Sequence, residues 1–239
     1  MKIEVVPTWQ SLNPRQVEGR VGVVIDVLRA TTTITAALAN GCRAVCPVST
    51  IREARSLYAG PAKKEIVLGG ERKGERIPGF AHGNSPLEYT RDVVAGRVLV
   101  LTTSNGTKAL RKSAPAVDVI VMALVNAGAV AGYLAGQQRD VVVVCAGTKG
   151  SLSLEDTLAA GALLDALEQT GVKIAANDLA LAAVQVFRVN RGNLKEAISR
   201  SINGRNLIRI NHETDISFCA SLDRFALVPV FANGRVTSR

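Results

Sequence analysis

One aspartate sits where its neighbours predict burial: Asp26 interrupts the run Val23-Val24-Ile25-Asp26-Val27-Leu28. An ionised carboxylate there is very costly unless it is paired, hydrogen-bonded or bound to a metal. A structural salt bridge to Arg29 is the plain alternative, but desolvation favours a chemical role. Glu71 follows two glycines in Gly69-Gly70-Glu71-Arg72. Paired glycines let the backbone turn sharply, and an acid beside an arginine can hold a metal while the arginine holds a phosphate. Glu155-Asp156 is the third acidic point, and there Ser153 with Asp156 also reads as a capping box opening a helix.

Three segments share a pattern in which an apolar run passes through Thr, Ser, Asn or Gly into a helix. They are residues 26–33 (DVLRATTT), 101–107 (LTTSNGT) and 145–156 (CAGTKGSLSLED). Residues of this kind at a helix start leave backbone N–H groups pointing outward, where the helix dipole favours an anion. Ordinary N-capping uses the same residue types, but three clusters at equivalent positions favour an anion site. Several chemistries are excluded. Cysteine phosphatases need Cys, five residues, then Arg, whereas Cys145 meets Ser151 and Arg224 comes one place too early after Cys219. Gly147-Thr148-Lys149-Gly150 is not a P-loop. Asp26 is followed two places on by Leu28, so the Asp-x-Asp of aspartate-nucleophile phosphatases is missing. Two histidines, His82 and His212, are too few for a histidine-rich metal centre. A carboxylate-oxygen site remains, which suits Mg²⁺ or Mn²⁺.

These residues need a scaffold, and the chain alternates β-branched runs with Ala/Leu-rich helical patterns, as a layered α/β fold does. Strands are expected at residues 21–28, 44–48, 65–68, 98–101, 117–122 and 141–145. Helices are expected at 33–39, 50–58, 105–112, 126–137 and 154–169, then 178–187 and 193–201, with a terminal hairpin around Asn233-Gly234. Residues 69–86 are rich in Gly, Pro and charge, without periodicity. A loop of that length in a compact domain is usually functional, and it begins at a strand's C-terminal end, where ligands of open α/β sheets gather.

The net charge of +9 favours acidic partners. The basic residues are scattered, and aromatics make up only 4 % of the chain, which argues against nucleic acid. The four cysteines form no CxxC pair or zinc knuckle and are expected as buried, reduced thiols. Residues 119–136 are nearly all apolar or small, but they read better as a strand and a helix than as a membrane span. No signal peptide is visible at the first residues, and a cytoplasmic protein is expected.

The chain resembles the 2-phosphosulfolactate phosphatases of coenzyme M biosynthesis. The resemblance is carried by residues 24–33 (VIDVLRATTT), 68–72 (LGGER), 83–89 (GNSPLEY), 102–107 (TTSNGT), 145–147 (CAG) with 153–157 (SLEDT), 201–205 (SINGR) and 215–220 (DISFCA). The family pattern has an acid after Gly79-Phe80, where this chain has Ala81-His82. The resemblance implies a three-layer α/β/α fold with a largely parallel or mixed sheet, one domain over residues 1–239, and a homodimer. It also implies Mg²⁺-dependent release of phosphate from a small 2-phospho-hydroxyacid. Asp26, Glu71 and Asp156, with Glu155 nearby, are then the expected metal ligands. Arg29, Arg72 and Arg205 would clamp the anionic groups. Thr31, Thr32, Asn84, Ser85, Asn105, Gly106 and Thr107 would supply neutral donors.

Overall fold

The computed structural model describes residues 1–59 and 63–239. In chain order the first half runs β1 (Lys2–Val6), β2 (Val21–Ile25), α1 (Ala30–Ala39), β3 (Ala44–Val48), α2 (Ile51–Tyr58), β4 (Ile66–Arg72), β5 (Glu75–Arg76), α3 (Arg91–Val94), β6 (Val98–Thr102), α4 (Gly106–Lys112) and β7 (Asp118–Met122). The second half runs α5 (Ala127–Gln137), β8 (Val141–Cys145), α6 (Leu154–Gln169), β9 (Ala175–Ala176), α7 (Asp178–Asn190), α8 (Leu194–Ser199), α9 (Ile202–Arg209), α10 (Glu213–Cys219), β10 (Pro229–Ala232) and β11 (Arg235–Ser238).

Among the described residues, eleven strands form one mixed sheet in the order β5-β4-β6-β3-β11-β10-β7-β2-β8-β1-β9. Its halves are parallel blocks, β4-β6-β3 and β7-β2-β8-β1-β9. The hairpin expected at the C-terminus joins them, pairing antiparallel to β3 on one side and β7 on the other. Three antiparallel steps in a row make the two blocks run in opposite senses. A twist of roughly 20–25° per strand, accumulated over the six steps from β4 to β2, is enough to bring their C-terminal ends back toward one side.

The strands are apolar on both faces because both faces are covered. On one face Val23, Ile25, Ile120, Met122, Val141 and Val143 pack with Val130 and Leu134 of α5, Leu163 and Leu167 of α6, and Phe187 of α7. On the other, Val24, Val119, Val121, Val142 and Val144 pack with Ile34 of α1 and Leu110 of α4. This is the period-two alternation of a covered sheet, and it fixes register. Thr50 caps α2, its side chain accepting the N–H of Glu53. The cysteines are free thiols, with Cys46 alone partly exposed. No helix among the described residues is long and apolar enough to cross a membrane.

The structure departs from the sequence reading in several places. β1 and the two helices α9 and α10 were not expected. α1 begins at Ala30, three residues early, because the N–H of Thr31 already bonds to the Asp26 carbonyl. The loop expected from residue 69 starts later, since β4 continues through Gly69 and Gly70, paired with Leu101 and Thr102, and then turns back as β5.

Candidate active site

Loops from both parallel blocks line one cavity of about 710 Å³. Its floor is acidic. Asp26 follows β2, and its Oδ1 accepts the N–H of Ala30 at 3.2 Å while the Gly106 N–H also donates to its carboxylate. Gly106 is required for that approach, since a Cβ there would lie 2.5 Å from the Ala30 Cβ and 2.6 Å from Asp26 Oδ2. Asp156 reaches back from the first turn of α6 to the sheet. Its Oδ1 accepts the Val27 N–H at 2.9 Å and its Oδ2 the Gly147 N–H at 3.1 Å. Glu71 is the penultimate residue of β4, its Oε1 accepting the Ser104 N–H at 2.7 Å and its Oε2 the Gly74 N–H at 2.9 Å. β4 packs this closely on β6 because Gly70 has no side chain, as a Cβ there would fall 2.3 Å from the Thr102 carbonyl oxygen. Glu155, expected beside the metal, is outside the cavity lining and accepts from the Asn203 amide at 2.7 Å.

All four acids are buried, and among the described residues none of them forms an ion pair. Burial pushes Asp26 up to about 7, with repulsion from Glu71 and Glu155 added and the Ala30 and Gly106 N–H groups opposing. Asp156 is also pushed well above the usual carboxylate range, by burial first and then by Glu155 and Asp26. The three strand-end clusters therefore do present backbone N–H groups, but the protein's own carboxylates occupy them. The expected capping box is not formed: Ser153 Oγ is buried without a partner, and the Asp156 side chain is turned toward Val27 and Gly147 instead of the Ser153 N–H.

The expected neutral donors divide. Asn84 and Asn105 line the cavity. Asn84 is buried with its Oδ1 lacking a hydrogen-bond partner. Asn105 bonds to the Gly147 carbonyl and accepts from the Trp9 indole at 3.2 Å. Thr31 and Thr32 lie behind the wall, donating to the carbonyls of Asp26 and Val27. Thr107 is bonded to Thr103, and Ser85 donates to Asp215 at 2.5 Å. Gly106 serves by its smallness.

The arginines divide as well. Arg29 and Arg205 line the cavity, whereas Arg72 does not and bonds to the Glu71 carbonyl and the Thr102 hydroxyl. Arg29 does not pair with Asp26; its partner is Asp215, at 2.6 Å. His82, at the departure from the family pattern, lies 3.7 Å from Glu88 and outside the cavity lining.

Sequence reasoning did not single out Lys73, Ser104, Thr148, Lys149, Asn203, Asn206 or Arg209, all of which line the cavity. Lys73 and Lys149 occupy turns at φ 58° and 52°, each followed by a glycine. A turn read only as polar and glycine-containing gives no sign that its lysine faces a site. Among the described residues, no carboxylate pairs with Lys73, Lys149, Arg205 or Arg209. The cavity is thus polarised, with unpaired acids below and unpaired cations on the wall.

Comparison with known proteins gives the family. The family model described as 2-phosphosulpholactate phosphatase matches residues 6–234. A protein of Symbiobacterium thermophilum named as a probable 2-phosphosulfolactate phosphatase is 45% identical over 221 residues, covering 92% of this chain and 95% of its own. Proteins of the same name from Caldanaerobacter subterraneus and Thermotoga maritima are 39% and 41% identical, covering 99% and 91% of this chain and 98% and 92% of their own. The chain belongs to the 2-phosphosulfolactate phosphatase family, and with it to the phosphoric monoester hydrolases.

Proposed function

We propose that this chain hydrolyses 2-phosphosulfolactate to sulfolactate and inorganic phosphate, using Mg²⁺. The observation that carries this reading is the polarity of the cavity. A substrate with a phosphate, a carboxylate and a sulfonate matches a wall bearing Lys73, Lys149, Arg205 and Arg209. The floor of buried, unpaired carboxylates calls for positive charge that the protein does not supply.

The donor set fits a hard divalent cation. Among the described residues, no group of three or more His, Cys, Asp or Glu side chains could hold a metal ion by itself. The expected four-carboxylate ligand set is therefore not a closed cage. Mg²⁺ does not need one, because it commonly takes one or two carboxylates and fills its shell with water and substrate phosphate. One or two of Asp26, Glu71 and Asp156 would hold it, each keeping lone pairs beyond those given to backbone N–H groups, with water and phosphate completing the shell. When bound, the cation would neutralise phosphate oxygens and the departing alkoxide oxygen.

The chain's own residues bind and orient. Arg29 lines the cavity with N–H groups to spare and holds phosphate oxygens through charge-assisted hydrogen bonds. The wall lysines and arginines hold the carboxylate and sulfonate, fixing the ester relative to the floor. Asn84 lines the cavity, and its unpartnered amide oxygen would accept from a water at the site, since the ester's acid groups are acceptors. The test is a panel of phosphate esters compared by phosphate release. Esters carrying a second acid group should exceed a simple alkyl phosphate by at least tenfold in kcat/KM, and equal rates would defeat the reading.

A further inference from the structure

We propose that Asp215 is a positioning residue that holds Arg29 in the orientation the phosphate requires, an inference that rests on the phosphatase reading above. Asp215 lies in the first turn of α10, and its side chain is 1% exposed. Its Oδ2 takes Arg29 at 2.6 Å, and its Oδ1 accepts the Ser85 hydroxyl at 2.5 Å. His212, which precedes α10, comes within 3.5 Å of the same Oδ2. The other terminal nitrogen of Arg29 donates to the Gly74 carbonyl.

Two anchors on two different terminal nitrogens fix the plane of a guanidinium as well as its place. Three of the five guanidinium N–H groups remain for a ligand in the cavity that Arg29 lines. The Gly74 residue carries the connection further through its backbone, because its N–H, in the preceding peptide group, donates to Glu71 Oε2. Ser85, Asp215, Arg29, Gly74 and Glu71 form one hydrogen-bonded chain, from α10 to the acid floor. Ser85, expected as a substrate donor, acts in it as the second support of Asp215. Asp215 also keeps the arginine away from Asp26, leaving the floor acidic.

An ion pair that merely fastens α10 to the sheet would look similar, so the test must separate positioning from stability. Phosphate release is measured for wild type, Asp215→Asn, Ser85→Ala, Arg29→Ala and the Arg29→Ala/Asp215→Asn double variant, per folded molecule. Asp215→Asn should lower kcat/KM about 100-fold and weaken competitive inhibition by inorganic phosphate about tenfold. Ser85→Ala, the milder change should Asp215→Asn fold poorly, should lower kcat/KM several-fold. The double variant should be no worse than Arg29→Ala alone, since Asp215 acts through Arg29. Asp215→Glu should recover part of the loss.

Two outcomes overturn the proposal. One is that the losses from Arg29→Ala and Asp215→Asn multiply. The other is that Ser85→Ala and Asp215→Asn lower only thermal stability, with kcat/KM within twofold of wild type. Wild type that releases no phosphate would instead retire the phosphatase reading. The same cycle, read on calorimetric binding of inorganic phosphate, then decides the positioning role.

Discussion

Arg29 is paired with Asp215 at 2.6 Å and not with Asp26, which stands three residues before it. That choice of partner shapes the site. Asp26, Glu71, Glu155 and Asp156 are left close enough to repel one another, with backbone N–H groups but no side-chain cation to offset them. Burial and this repulsion raise Asp26 and Asp156 above the usual carboxylate range.

The first prediction concerns pH. Asp26 has an ordinary value of 3.8 and is raised to about 7 in the folded chain, with Asp156 shifted in the same direction. A raised carboxyl leaves the folded state holding more protons than the unfolded one, so stability falls as pH rises. The contribution is fully present below about pH 4 and lost as pH rises through about 7. In EDTA the melting temperature should be higher at pH 5.5 than at pH 8.5. Added Mg²⁺ should raise it more at pH 8.5, because cation and proton compete for the same oxygens. A cation effect independent of pH would contradict this.

Asp26→Asn separates stability from function. Removing a buried charge that lacks a cationic partner should stabilise the metal-free protein at pH 8 by a few kcal/mol. Phosphate release should fall at least 100-fold. Near-normal turnover in this variant would remove Asp26 from the site, whatever its effect on melting.

The wall lysines should govern selectivity more than turnover. For Lys73→Ala and Lys149→Ala we expect KM for a phosphate ester carrying a second acid group to rise about tenfold each, with kcat within threefold. KM for a simple alkyl phosphate should barely change. Equal effects on both esters would place these lysines at the phosphate instead.

Gly106→Ala tests the close approach of α4 to Asp26. The added Cβ meets Ala30 and the Asp26 carboxylate at 2.5 Å and 2.6 Å, so something must move. Overpacking of this kind typically costs ~1–3 kcal/mol. Here it should also displace the acid and lower activity at least tenfold. Denaturant melts together with phosphate release measure both.

Much of the scaffold was legible from the sequence, and the reasons differ by element. β3, β8 and α6 carry strong uninterrupted patterns, and their bounds match expectation. β1 was missed because Lys2 and Glu4 dilute a five-residue strand whose partners, β8 and β9, lie far along the chain. α9 and α10 are short and rich in Asn, Thr, Ser and Asp, poor helix formers on their own. Contacts such as Asn203 with Glu155 and Asp215 with Arg29 hold them in place. In the site, the burial of Asp26 was readable from five apolar neighbours. The reach of Asp156 to Val27, across 129 residues, was not. The strand-end N–H groups were therefore assigned to a bound anion when the protein's own acids hold them.

The most direct test of the account is inorganic phosphate release from 2-phosphosulfolactate by the wild-type protein, with Mg²⁺ and again after EDTA. The expected result is one phosphate per sulfolactate formed, loss of activity on chelation, and recovery when Mg²⁺ is restored. Full activity in EDTA would contradict the cation-dependent floor. No release by folded, Mg²⁺-loaded protein would contradict the phosphatase assignment itself.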